Sequence, residues 1–238
     1  MGYYPIFVDV GERRVLLVGG GHVALEKIGR LVDAGADVTV VAPELIPPLR
    51  AFVDEGRARL LERPYRSGDV AGYDFVMVAT DDGAVNKTVA DEARADGIWV
   101  NAADDLNNCD FILPSLAQRG QIAIAASTGG SSPAMARWLR ERLEEFLSDD
   151  VVALAELLAE VRVAVRTREH ECAASCDRTR VPPPLLCSDC PNRIPAERWQ
   201  EAIDDELQAL LRAGNGDAAR ERLTRSLGID QPLLRLER

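Results

Sequence analysis

Val15-Leu16-Leu17-Val18-Gly19-Gly20-Gly21-His22-Val23-Ala24 decides the reading of this chain. Four apolar residues closed by glycines predict a buried strand, and Val23, Lys27, Leu31 and Ala34 follow at helical spacing. Strand, tight turn and helix is therefore the expected unit. Within it, Gly19, Gly21 and Ala24 fit the pattern G-x-G-x-x-G/A. The first position makes the turn, the second lets a pyrophosphate approach the backbone, and the third allows close packing of helix on strand. N–H groups at the start of the helix would hold phosphate. Alone, the pattern is also satisfied by a glycine-rich turn with no ligand. A second predicted strand at Ala34–Val41 supplies the context of a dinucleotide site.

Outward from that unit the chain alternates between strand and helix. Pro43 ends the second strand, because proline cannot continue a central ladder. Glu44 is the candidate for the acidic residue that binds the ribose hydroxyls, slightly late after Pro43; backbone groups at Pro43 and Glu44 are the alternative, and the choice between NAD and NADP stays open. Leu45–Glu55 is expected as a helix, Arg59–Arg63 as a third strand and Phe75–Ala79 as a fourth. Thr80-Asp81-Asp82 then stands at the carboxyl end of the sheet, where ligands of such folds bind. Asp81 and Asp82 suit helix capping as well as cofactor contact. Ile98–Val100 is expected as a fifth strand, Cys109–Pro114 as a sixth and Gln121–Ala126 as another. Ser132 is a natural N-cap with Pro133 in the first helical position. The helix after it carries an apolar stripe of Met135, Trp138, Leu139, Leu143 and Phe146, expected to pack. Helices are predicted at Val151–Arg168, Trp199–Leu211 and Asp217–Leu227.

The 238 residues carry a formal charge of −11, which argues against a general binder of nucleic acid or membrane surfaces, both anionic. There is no run of about 18 apolar residues and no basic-then-apolar leader, so a cytoplasmic location is expected. Lys27 and Lys87 are the only lysines among 28 basic residues. The acidic balance is compatible with a salt-rich setting, where a Debye length of about 3 Å screens self-repulsion.

Four of the five cysteines cluster as Cys172-x3-Cys176-x10-Cys187-x2-Cys190 in a proline-rich stretch, 170–195. In a reducing compartment such a cluster suggests a metal, tetrahedral zinc before an iron–sulfur cluster. Two disulfides or four unrelated thiols are the alternatives.

The series Tyr4-Pro5-Ile6-Phe7, Val18–Ala24 with Lys27, Gly35-Ala36, Val41-Ala42-Pro43, Ala79–Asp82 with Val85-Asn86, Val100-Asn101 with Asp104, Phe111–Pro114 and Ser127–Arg137 resembles a known family. It is similar to the precorrin-2 dehydrogenase and sirohydrochlorin ferrochelatase family, the N-terminal part of sirohaem synthases, over residues 1 to about 150. The resemblance implies an α/β fold: a Rossmann-type parallel sheet at 1–113, a dimerisation segment at 114–148 and a helical C-terminal region at 149–238. It implies a homodimer that uses NAD to oxidise precorrin-2 to sirohydrochlorin. Asp104 matches the family's catalytic aspartate, and His22-Val23 with Pro43-Glu44 match its NAD contacts. Thr128 stands where relatives carry a small hydroxyl residue beside the tetrapyrrole. The Thr128–Ser132 turn, including Ser131, with Arg137 and Arg140 would offset a polycarboxylate substrate's charge. An enzyme that also inserts ferrous iron is one alternative; a non-catalytic NAD- or tetrapyrrole-binding regulator is another. The cysteine cluster is not part of the family pattern.

Overall fold

The computed structural model describes residues 3–103, 106–175 and 193–229. By internal contacts the chain forms two compact units, one of residues up to Pro114 together with Gly129–Ser131, the other of Ser115–Thr128 with the chain from Ser132 onward.

The first unit is a five-stranded parallel sheet. Its strands are β1 (Arg14–Val18), β2 (Asp37–Ala42), β3 (Arg59–Glu62), β4 (Phe75–Val78) and β5 (Trp99–Ala102). Their spatial order is β3-β2-β1-β4-β5, with β1 paired on both sides. The order reverses beside β1, the point at which open α/β sheets bind ligands. Helix α1 (His22–Asp33) follows β1, α2 (Pro47–Asp54) follows β2 and α3 (Gly83–Ala95) follows β4. Successive side chains of a strand point to opposite faces, and both faces of β1 are buried. Val15 and Leu17 join Ala24, Ile28, Leu31 and Leu49, whereas Leu16 and Val18 join Val89, Ala90 and Ala93. That is why β1 reads as continuous hydrophobic sequence without alternation.

The second unit begins with an antiparallel hairpin, β6 (Ser115–Arg119) and β7 (Ile122–Ala126). Helices α4 (Pro133–Phe146), α5 (Asp149–Ser175), α6 (Ala196–Glu201), α7 (Asp205–Arg212) and α8 (Gly216–Leu227) follow. Leu157, Val161 and Val165 of α5 form a core with Leu207 of α7 and Ala219, Leu223 and Leu227 of α8.

Four expectations are corrected. No strand forms at 109–114; β6 starts after Pro114, and the residues before it return as a loop along β5. Helix α5 runs to Ser175, because Glu169–Ser175 contains no proline or glycine to stop it, so Cys172 lies on a helix and the cysteine stretch starts later. The helix expected at Trp199–Leu211 is two helices, since the Asp204 carboxylate accepts the Leu207 N–H (2.8 Å) and starts α7 afresh. Finally, the α4 stripe is not wholly packed within one chain: Met135, Trp138 and Phe146 are exposed, and α4 has no buried residue.

Candidate functional site

The glycine turn lies at the carboxyl end of β1, and each glycine there meets different surroundings. Gly19 has φ +129°, and a Cβ on it would stand 2.2 Å from the Ala79 carbonyl oxygen. A Cβ on Gly20 would stand 1.9 Å from the Glu44 carbonyl oxygen. Around Gly21 a Cβ would meet nothing within 4 Å. The first two glycines therefore let the ends of β4 and β2 close on the turn, and the third leaves open space in front of α1. Main-chain bonds fix the arrangement: Gly19 N–H to Val41 O (3.0 Å) and Ile46 N–H to Gly20 O (2.9 Å). The segments bearing Pro43-Glu44 and Thr80 are thus brought to the two flanks of the turn.

Helix α1 starts there without help from any side chain. Gly21 is its N-cap, no side chain caps it and no acidic residue stands in its first turn. Helices α3, α4, α7 and α8, in contrast, are each capped by a side-chain oxygen. The orphan N–H groups and the positive end of the dipole make the start of α1 suited to an anion. Ala24 is fully buried against Val15 and Leu17, as the third position of the motif requires, while His22 and Val23 are exposed on the first turn.

On the β4 side, the Thr80 hydroxyl donates to Asn86 Oδ1 (2.5 Å), and Asn86 Nδ2 donates to the Thr80 carbonyl (2.9 Å). Asp82 caps α3, accepting the N–H groups of Ala84 (2.9 Å) and Val85 (3.2 Å). Capping, one of the two readings left open for the acidic pair, is therefore the role Asp82 has here; Asp81 is exposed.

Asn101 ends β5 at 6% exposure. Its Oδ1 accepts from Lys27 Nζ (2.9 Å) on α1, and its Nδ2 donates to the Phe111 carbonyl (2.9 Å). Asp104 itself lies outside the described residues.

In the second unit, Thr128 Oγ1 accepts the Ser132 N–H and donates to the Ser132 carbonyl, both at 3.1 Å. Ser132 in turn accepts the Met135 N–H at 3.2 Å, with Pro133 first in α4. Gly129 and Gly130 between them have φ +63° and +85°, a left-handed pair that only glycine adopts without strain.

Residues 6–115 match the family described as Putative NAD(P)-binding, and residues 119–145 match Sirohaem biosynthesis protein central. Among curated proteins, the siroheme synthase of Actinobacillus pleuropneumoniae serotype 7 (strain AP76) is 36% identical over 231 residues, 92% of this chain and 47% of that protein. The siroheme synthase of Pseudoalteromonas atlantica (strain T6c) is 32% identical over 97% of this chain and 46% of its own length. A solved structure titled SirC, precorrin-2 dehydrogenase, superposes with a TM-score of 0.71 at 27% identity, covering 94% of this chain and all of the other. Along most of its length the chain is similar to siroheme synthases and to a precorrin-2 dehydrogenase. It spans less than half the length of these two curated relatives.

Within that family frame, Arg137 is exposed and paired with Glu141 at 3.2 Å, one turn along α4. Arg140 pairs with Glu144 at 2.5 Å. Cys176, Cys187 and Cys190 lie outside the described residues, as does the side chain of Cys172. Among the described residues no group of three or more His, Cys, Asp or Glu could hold a metal ion, and no helix is long and apolar enough to cross a membrane. The motif spacing foretold Gly19, Gly21 and Ala24 but not Gly20, Lys27, Asn86 or Asn101. These four act through tertiary partners, which the motif spacing does not encode.

Proposed function

We propose that this protein oxidises precorrin-2 to sirohydrochlorin with NAD+ as hydride acceptor, in sirohaem biosynthesis. The observation that carries the reading is the start of α1, uncapped, free of acidic residues and opening at Gly21 onto free space, in a chain whose relatives bear sirohaem names. The N–H groups of His22, Val23 and Ala24 hold the pyrophosphate. The Pro43-Glu44 segment, whose carbonyl abuts Gly20, takes the ribose. A 2′-phosphate there would meet the exposed Glu44 carboxylate, and the cations at the end of β3, Arg50 and Arg63, are paired with Glu62 and Asp69. This favours NAD over NADP. Thr80, locked to Asn86, shapes the opposite wall.

The reaction removes a hydride and a proton from the macrocycle, and gives sirohydrochlorin, NADH and H+. NAD+ takes the hydride; Asp104 takes the proton as general base. Thr128, Ser131 and Arg137 receive the substrate's carboxylates. Two copies associate through the exposed Met135, Trp138 and Phe146 of α4, large apolar side chains that one chain leaves in water. The four cysteines hold structural zinc, a role supported by their spacing alone.

The name siroheme synthase borne by the relatives favours a second reading, that the same aspartate also serves insertion of ferrous iron into the product.

The test is NADH formation from precorrin-2 under anaerobic conditions by wild type and Asp104→Ala. The variant is expected to bind NAD+ and form no NADH; normal turnover by it overturns the assignment. Ferrous iron added to sirohydrochlorin, followed by absorption, reads the second activity. Metal content of the wild type against a four-cysteine-to-serine variant reads the zinc.

A further inference from the structure

The chain after β5 leaves the sheet and returns to it, and the two ends of this excursion are tied together. Asp110 N–H donates to Val100 O (2.8 Å), and the Asp110 carboxylate accepts the Val100 N–H (3.0 Å). One residue further, Asn101 Nδ2 reaches the Phe111 carbonyl. Arg94 of α3 holds the returning arm through the Asn107 carbonyl (2.9 Å), Asn108 Oδ1 (3.2 Å) and Asp110 Oδ1 (3.3 Å). The outgoing arm is held from the other side of the sheet by Lys27, whose ammonium donates to Asn101 Oδ1.

Lys27 belongs to α1, the helix whose first turn is suited to the cofactor's phosphates. It lies little more than one turn beyond His22–Ala24. Asn101 is nearly buried, so its amide depends on protein partners. In a chain that otherwise uses arginine almost everywhere, a lysine reaches the amide oxygen of Asn101, a compact point charge in place of a planar fork. The Lys27–Asn101 bond thus joins the anion-binding helix to the neck of the segment in which Asp104 stands three residues beyond Asn101.

We propose that Lys27 and Asn101 are positioning residues for the oxidation. They tie the end of β5 to the cofactor helix, so that the chain entering the stretch that bears Asp104 starts from a point fixed relative to the hydride acceptor. This rests on the function proposed above. Proximity of reacting groups governs the rate of the chemical step while leaving ground-state binding of each partner largely untouched. Loss of the link therefore lowers kcat and not cofactor affinity.

Lys27→Met keeps the apolar stem and deletes the donor. Its kcat is expected to fall at least about tenfold, with the KM for NAD+ and the calorimetric NAD+ affinity within about threefold of wild type. Lys27→Arg, which keeps charge and a donor, should recover part of the loss. Asn101→Ala, which also frees the Phe111 carbonyl, should lose at least as much kcat as Lys27→Met, and the double variant should be no slower than Asn101→Ala alone, because the lysine acts through that amide. If Asn101→Ala does not fold, Lys27→Met and Lys27→Arg decide the matter. A wild type that forms no NADH from precorrin-2 overturns the proposed function and this inference together. With an active wild type, a Lys27→Met enzyme of normal kcat overturns this inference alone. So does one that loses kcat, NAD+ affinity and melting temperature in parallel, which marks a merely structural role.

Discussion

Three consecutive glycines, Gly19 to Gly21, differ in what a side chain would meet, and this separates stability from binding at single-residue scale. Gly20→Ala drives a methyl onto the Glu44 carbonyl and Gly19→Ala onto the Ala79 carbonyl, the latter also at positive φ. Each is expected to cost about 1–3 kcal/mol or more, read by urea unfolding. Gly21→Ala should leave stability within about 0.5 kcal/mol while weakening NAD+ binding at least about tenfold, a loss of about 1.4 kcal/mol. The motif spacing exposed Gly19, Gly21 and Ala24 because their roles follow from local geometry. Gly20 was silent, since its constraint comes from a carbonyl on another strand's end. Thr39 was silent as well. It sits in β2 at 3% exposure with its hydroxyl unpartnered, and nothing in the local sequence marks it. A buried hydroxyl without a partner carries its full desolvation cost, so Thr39→Val is expected to raise stability by about 1 kcal/mol in the same urea assay.

At the scale of elements, two helix starts made by a side chain were legible: Ser132 before Pro133 was plain, and Asp82 was one of two readings that the geometry resolved. Breaks set by a distant partner were not. Asp204 looks like mid-helix sequence, yet it caps α7 and receives Arg222 of α8 at 2.5 Å. The β6 boundary was missed because hydrophobic Phe111–Leu113 mimics a strand, although Phe111 packs edge-on against Phe75 and its carbonyl is taken by Asn101. Hydrogen bonding from Arg222, and then from the Leu207 N–H, holds the Asp204 carboxyl down at about 2 from an ordinary 3.8. A pKa lowered by folding stabilises above the unfolded value, and that contribution is lost as pH falls through the folded one. Asp204→Asn should therefore be less stable than wild type above pH about 4, with the gap closing toward pH about 2; urea midpoints across that range measure it.

Over the whole molecule, a charge of −11 meets a substrate proposed to be a polycarboxylate. Long-range repulsion between the two is screened as the Debye length shrinks from about 10 Å at 0.1 M salt to about 3 Å at 1 M. The KM for precorrin-2 is expected to fall as sodium chloride rises over that range. A rising KM would mean that local cations at the site dominate the field instead. Charge and composition argue against anionic partners from the sequence alone, but they carry no information on how α4 is covered. The exposure of Met135, Trp138 and Phe146 is a property of the folded chain.

The central place of β1 also sets a clock on its own amides. Leu16, Leu17 and Val18 are buried and flanked by partner strands on both sides, so their protons should exchange with solvent only when the whole sheet unfolds. Four residues on, His22, Val23 and Ala24 begin a helix that no side chain caps, and their protons should exchange at nearly open-chain rates. Deuterium uptake along this one stretch should thus step from the slowest to among the fastest in the protein, and NAD+ should flatten the step from its fast side only.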